Sequence, residues 1–430
     1  MVIRNLFICF SLIAVMLGCS SSGNDYPPST TCGTSCKDGK GAPGTGNNIN
    51  EFIDNLEGVD AAEVDQGVRE VALLNHLVNN NINTYMKIMD ENITVMSSKV
   101  EQACMGDAEV LVEDLRSYLK LTVGAFHRVE PFIFGPLFTD DPTKYGANNP
   151  YRKFLFSHEI PTKQAGFLES EIQFATFDKE DYDPNVSTAN LGFDALAFHF
   201  FVVLKDKEKL TSAEDSCWHL KFIQKDLKTR WTTLNTLWNK EVIEPLKSPD
   251  GLTKAKVYLT QINQGLIDFV DKILKDARLK APLGLSSGAS DAFPCTVNVD
   301  CHERYLIHQF MGNTAQVSFI NSIQAIERAF GKEEAALNGD FGINAFIKAG
   351  KNDLSKSSQS LASRELSAKW QGLPSGDKFV EMVKNFNKDE TDTDLAQAYD
   401  LVLQLSDYMK GEFLVDMSVK IPDSVGGDND

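Results

Sequence analysis

Apolar residues recur along this chain at three- and four-residue steps. Val68, Val71, Leu74, Val78, Ile82, Tyr85, Met89, Ile93, Met96 and Val100 hold that spacing without a break. Such a stripe is one face of a helix running from Val68 to Val100. Asp107 stands where it can cap a second helix, through Val110, Leu111, Leu115, Tyr118 and Leu119 to Phe126. Pro131 and Pro136 then place a helix end and a turn. A third pattern runs from Ser212 to Leu246, carrying Trp218, Leu220, Ile223, Leu227, Trp231, Leu234, Trp238 and Val242. A fourth runs from Leu252 to Leu279. The last third predicts helices at Tyr305–Phe330, Ile343–Leu373 and Asp377–Met409. No stretch shows the spaced β-branched alternation of a sheet. The expected class is all-α, and helices this long favour bundles.

Between these patterns the chain changes character. Asp140–Lys163 carries Asp-Pro, Tyr-Gly and Asn-Pro punctuation and reads as a loop. Ala281–Val299, with two Pro and two Gly, reads as a connection, and 421–430 as a polar tail. Residues after the tether are too many for one typical core. We therefore expect two helical-bundle domains, 51–285 and 286–420.

The first fifty residues belong to neither bundle. One cation, Arg4, precedes an apolar run from Leu6 to Leu17 that is too short to span a membrane. Residues 1–18 read as a signal peptide. Met16-Leu17-Gly18-Cys19 resembles a bacterial lipobox, which implies lipid on Cys19; an ordinary secretory signal cut nearby is the alternative. Ser20 after the Cys favours outer-membrane sorting by the same resemblance. Residues 19–50 are Gly, Ser, Thr, Pro and Asn with almost nothing apolar, and so form a tether. The expected location is the cell envelope, lipid-anchored at the outer membrane.

Composition narrows the partners. The formal charge is −18, and losing the leader removes only one cation, Arg4. So acidic a chain does not attract nucleic acid through its general field. Cysteine usage fits an oxidising compartment. Cys32 and Cys36 lack the second pair that a structural zinc site wants, which leaves a small disulfide loop. Cys295 and Cys301 flank a polar turn and are a natural pair; Cys104 and Cys217 would then join the two ends of the first bundle. Four cysteines allow three connectivities, and spacing does not choose among them. The disulfide reading outweighs a metal reading of Cys301-His302-Glu303.

Catalytic motifs are sparse. There is no His-Glu-x-x-His pair, no Gly-x-Ser-x-Gly elbow and no Gly-rich phosphate loop. His127-x-x-Glu130 has the letters of a metal-binding pair on one helix face, with a turn-holding role for Glu130 as the alternative. His199, beside an aromatic run, reads as packed at a helix flank.

One stretch stands at the centre of the chain: Gly192-Phe193-Asp194-Ala195-Leu196-Ala197-Phe198-His199-Phe200-Phe201. Phe193, Leu196, Ala197 and Phe200 share a helix face. The stretch resembles the Gly-x-His-x-x-Glu motif of the imelysin family, with Asp194 in place of His and Ala197 in place of Glu. Three more stretches, in the family's order, extend the resemblance over most of Val68–Met409. They are Glu130-Pro131-Phe132-Ile133-Phe134-Gly135-Pro136, Trp231–Pro245, and Phe310-Met311-Gly312-Asn313-Thr314 with Ile326 and Gly331. The resemblance implies an extracytoplasmic protein of two bundle-like domains with a metal or small ligand between them. It implies a binding protein linked to iron or other metal uptake, with iron or another divalent cation as cofactor. A metal chelate is a possible ligand and an outer-membrane uptake protein a possible partner. The alternatives are an imelysin-type metallopeptidase, which the loss of His and Glu disfavours, and a non-catalytic interaction lipoprotein. Asp194 is the expected metal ligand, sharing its helix N-terminus with a plain dipole role. Gly192, Asn313 and Thr314 are expected pocket residues, meeting Asp194 and Glu130 at the seam of the bundles.

Overall fold

The computed structural model describes residues 60–107, 109–132, 192–204, 207–210, 215–246, 251–280, 283, 285, 312–331, 341–350, 353–386 and 393–417. Every regular element of three or more residues among them is helical. The elements are α1 (Gln66–Asn75), α2 (Thr84–Cys104), α3 (Val112–Val129), α4 (Gly192–Phe198), α5 (Asp215–Trp238), α6 (Glu244–Leu246) and α7 (Gly251–Asp268). They continue with α8 (Gly312–Phe330), α9 (Ile343–Ala349), α10 (Lys356–Ser363), α11 (Glu365–Gly372), α12 (Asp377–Lys384), α13 (Asp394–Lys410) and α14 (Glu412–Asp416). None of the described helices is long and apolar enough to cross a membrane.

Four helical rods loosen into π winding, at His76–Asn83, His199–Val203, Asn239–Ile243 and Phe269–Lys280. The first joins α1 to α2, so 66–104 is one rod, as the apolar stripe predicts. Its wider turn is built of asparagine, a poor helix former. Asn79 Nδ2 donates to Asn75 Oδ1 at 2.5 Å, and Asn83 Nδ2 to Asn79 Oδ1 at 3.0 Å. Near the third, Pro245 has no N–H for the carbonyl of Glu241 four residues back. The Tyr258 hydroxyl supplies the missing donor from α7, at 2.7 Å.

The 66–104 rod and the 215–246 rod run antiparallel. A disulfide between Cys104 and Cys217 ties one end, with 5.6 Å between Cα atoms. Trp238 Nε1 donates to Asn83 Oδ1 at 2.8 Å at the other. Between these ties Tyr85, Met89, Ile93, Met96, Leu220, Ile223, Leu227, Trp231 and Leu234 are all buried. Helix α3 packs on α2, and α8 packs along α3.

Three boundaries differ from the spacing. Asp107 does not begin the second helix: its Oδ1 takes the Glu109 N–H at 2.9 Å in a local turn. The helix starts at Val112, where Asp114 Oδ2 accepts the Leu111 N–H at 3.1 Å. The pattern from Ile343 to Leu373 is three helices, because Ser355 Oγ caps α10 through Ser358 N at 3.1 Å and Arg364 turns left-handed at φ 58°. The pattern from Asp377 to Met409 is two helices, the second capped by Thr393 Oγ1 on Ala396 N at 3.2 Å. Gly342 marks a close approach: a Cβ there would meet the Phe330 carbonyl oxygen at 2.5 Å.

Buried charge joins the last helices to the rest. Asp271, fully buried, accepts from Ser406 Oγ of α13 at 2.8 Å and pairs with Lys275 at 2.6 Å and Lys410 at 3.2 Å. Burial works against its charge, but the Lys275 and Ser406 hydrogen bonds prevail and hold its pKa at about 2.

The Cys104–Cys217 bridge spans a sequence separation of 113 residues. A loop of that size removes roughly 4–5 kcal/mol of chain entropy from the unfolded state. A Cys104→Ser/Cys217→Ser variant should lose about that stability in chemical denaturation. An unchanged midpoint would show that the bridge constrains nothing.

Candidate functional site

Helix α4 begins at Gly192, whose φ of 80° only glycine adopts without strain. Phe193, Ala195, Leu196, Ala197 and Phe200 are all buried. The expected single apolar face is therefore too narrow, since Ala195 is covered as well. A helix buried on several sides belongs inside a bundle. Phe126 of α3 meets Phe193 with ring centroids 5.8 Å apart. Arg116 of α3 closes the far end, donating from Nε to the Phe200 carbonyl at 2.9 Å and from Nη2 to the Leu204 carbonyl at 3.1 Å.

The side chains of Asp194, Asn313 and Thr314 lie outside the described residues. Cys19, Cys32, Cys36, Cys295 and Cys301 also lie outside them. Cys104 and Cys217 are paired with each other, which settles their place among the connectivities that spacing left open.

His127 and Glu130 do come together. They sit at the end of α3 and in the 3₁₀ turn after it, both buried. His127 Nδ1 lies 2.8 Å from Glu130 Oε2. A carboxylate only accepts, so the ring proton is on Nδ1 and the lone pair on Nε2. Arg278, from the π stretch Phe269–Lys280, was invisible to sequence reasoning. Its Nη2 stands 2.7 Å from both Glu130 oxygens. Its Nη1 donates to Ser322 Oγ of α8 at 3.1 Å. Ser322 Oγ in turn reaches the carbonyls of Ser318 at 3.1 Å and His127 at 3.4 Å. Two rods thus meet on one carboxylate, and a third, α8, braces the guanidinium that holds it.

The electrostatics follow from this geometry. Burial lowers the His127 pKa, the Arg278 charge lowers it further, and the Glu130 hydrogen bond only partly offsets both; the result is about 4. Burial opposes the Glu130 charge, yet Arg278 and then His127 outweigh it, and its pKa falls below the ordinary value. At neutral pH the group is carboxylate, guanidinium and neutral imidazole.

A histidine whose Nδ1–H is held by a carboxylate is oriented as metal-bound histidines are. Here the carboxylate is already engaged by Arg278 on both oxygens. No group of three His, Cys, Asp or Glu side chains positioned for a metal occurs among the described residues. A buried imidazole with so low a pKa is also a poor general base at neutral pH.

His199 is buried at the helix flank as expected, but it has an unforeseen partner. Its Nε2 lies 2.8 Å from Nδ1 of His219, itself buried in α5. Burial, then the charge of His219, drives the His199 pKa well below the usual value.

No family model and no curated protein matches the chain. Its structure is similar to the crystal structure of an imelysin-like protein from Psychrobacter arcticum 273-4, with a TM-score of 0.56 at 15% identity. The likeness covers 83% of this chain and 98% of that one. The fold is therefore all-α and imelysin-like.

The low His127 pKa makes stability depend on pH. Above pH 6.5 the ring is neutral in both folded and unfolded chains. Between pH 6.5 and about 4 the unfolded chain binds a proton that the folded chain refuses. Folding should lose on the order of 3 kcal/mol over that window from this residue. Urea denaturation at pH 7.5 and 4.5 measures it. His127→Gln, which keeps a donor toward Glu130, should shrink the drop; an identical drop in variant and native protein would contradict the assignment.

Proposed function

We propose that this chain is a lipid-anchored binding protein of the cell envelope, linked to metal uptake, and that it is not a peptidase. The observation that carries the reading is the grip of Arg278 on both oxygens of Glu130. Metal-dependent hydrolysis wants several ligands converging on one ion and an open position for water. A carboxylate held by a guanidinium is not available for that without leaving the guanidinium buried and unpaired. Ala197, buried and without a ligand atom, supports the same conclusion at the second motif position. Binding makes no such demand, since an imelysin-like bundle can hold a metal or a metal chelate without turning it over.

The link to iron or another divalent cation rests on the family resemblance of the sequence, as does the possible outer-membrane partner. The lipid anchor rests on the apolar run ending at Cys19, and the division into bundles at 285 on chain length and the polar connection there. Within this proposal Asp194 supplies the remaining ligand oxygen near Gly192, Asn313 and Thr314.

Calorimetry with ferric and divalent ions on the mature protein, paired with a peptidase assay, tests the reading. Weak metal binding lost in Asp194→Ala and strengthened by Asp194→His with Ala197→Glu is expected, with no chelator-sensitive hydrolysis. Chelator-sensitive hydrolysis would restore the peptidase reading. No metal binding by either the native or the restored protein would favour an interaction lipoprotein. Cys19→Ala should abolish fatty-acid labelling; labelling that persists would remove the anchor.

A further inference from the structure

Tyr85 of α2 is buried, and two guanidinium groups lie over its ring. Arg128 of α3 stands 5.4 Å from the ring centroid and Arg328 of α8 stands 5.7 Å from it. Two like charges brought to one ring repel each other. The ring's electron-rich faces offset only part of that repulsion. Three other described arginines are paired with carboxylates, Arg116 with Glu113, Arg230 with Asp226 and Arg278 with Glu130, while Arg69 donates to the Ala349 carbonyl. Among the described residues no carboxylate pairs with Arg128 or Arg328. Acidic residues outnumber Lys and Arg by 60 to 42 in the chain, so the shortage is local.

Arg128 is nevertheless held firmly. Its Nε donates to Asn321 Oδ1 at 2.6 Å and its Nη2 to Gln324 Oε1 at 3.2 Å. Asn321 Nδ2 is itself anchored on the Val317 carbonyl at 2.7 Å. These partners are neutral, so they fix the guanidinium plane and leave its charge. Of the five guanidinium N–H groups, both on Nη1 and one on Nη2 stay open to a further acceptor. Arg328 is exposed, and no described acceptor takes its guanidinium hydrogens. Each arginine lies in the last turn of its helix, where the dipole favours a cation. The dipole accounts for a positive residue at each end. It does not account for their convergence on one ring, or for an amide clamp where acids are plentiful.

We propose that Arg128 and Arg328, flanking Tyr85 at the seam of α2, α3 and α8, form a binding site for a small polycarboxylate. The guanidinium fork matches a carboxylate in bidentate geometry. Two forks on one ring suit a ligand with two or more carboxylates better than a single compact anion. The pre-set plane of Arg128 lowers the ordering cost of binding. The site needs no metal, so it goes beyond the proposed metal-linked role and does not depend on it.

Calorimetry at low salt, with metal-free citrate titrated into the detergent-extracted mature protein, tests the site. Citrate should bind more tightly than inorganic phosphate or acetate. Arg328→Gln and Arg128→Gln should each weaken it about tenfold or more, the loss of one charged hydrogen-bond pair. Arg128→Lys, which keeps the charge without the fork, should recover only part. Arg328 is exposed, so its variant keeps the fold, and helical circular dichroism checks this for Arg128. Absence of citrate binding, native affinity for citrate in either Gln variant, or a preference for phosphate over citrate would each overturn the proposal. Citrate binding without any binding of metal ions would uphold this site and remove the metal-linked function.

Discussion

A carboxylate buried among helices must find positive charge or hydrogen-bond donors, or lose its own charge. Glu130 meets that constraint with Arg278 and His127, and the arrangement of three rods follows from it. The end of α3 carries the acid. The π stretch after α7 brings the guanidinium from 148 residues away in sequence. Helix α8 brings Ser322, which links Arg278 to the His127 carbonyl. If α3 and the π stretch part, a buried charge is left unanswered; if α8 shifts, Arg278 loses the hydroxyl that braces it.

The same π stretch carries a second buried ionic tie. Asp271, paired with Lys275 on its own stretch, reaches α13 through Ser406 and Lys410, while Arg278 points to Glu130. Phe269–Lys280 is thus fastened by charge to α3 and to α13. Elsewhere the fastening is different in kind: a disulfide and an indole hydrogen bond between the first two rods, and a histidine pair between the α4 rod and α5. Apolar burial brings the helices together, and these few polar ties set their register.

Much of this was legible in the residues. The 66–104 rod follows from its apolar stripe, because a stripe at helical spacing has no other way to be buried. The i, i+3 spacing of His127 and Glu130 places the two side chains on neighbouring positions, but reads equally as a metal pair or as a turn held by Glu130. Other features had no local signal. Arg278 reads as one more cation near a helix end, and only folding reveals what it faces. His219 lies between Trp218 and Leu220 and passes for core. The breaks at Ser355 and Thr393 escaped because apolar spacing continues across them; a cap forms in the backbone before it, and leaves the stripe almost intact. The π stretches escaped because apolar spacing runs on through them, past even the asparagines of His76–Asn83.

The central claim is that Glu130 and Arg278 form a structural bracket and not half of a metal centre. A double-mutant cycle on folding stability, using Glu130→Gln, Arg278→Met and the two together in metal-free buffer, measures it. The bracket predicts that either single change costs about 3–5 kcal/mol, because each strands a buried charge. It predicts that the double variant costs much less than the two combined, with a coupling of about 2 kcal/mol or more. Additive losses of a few tenths of a kcal/mol each would contradict it, and would mean that Glu130 is held for something other than the fold.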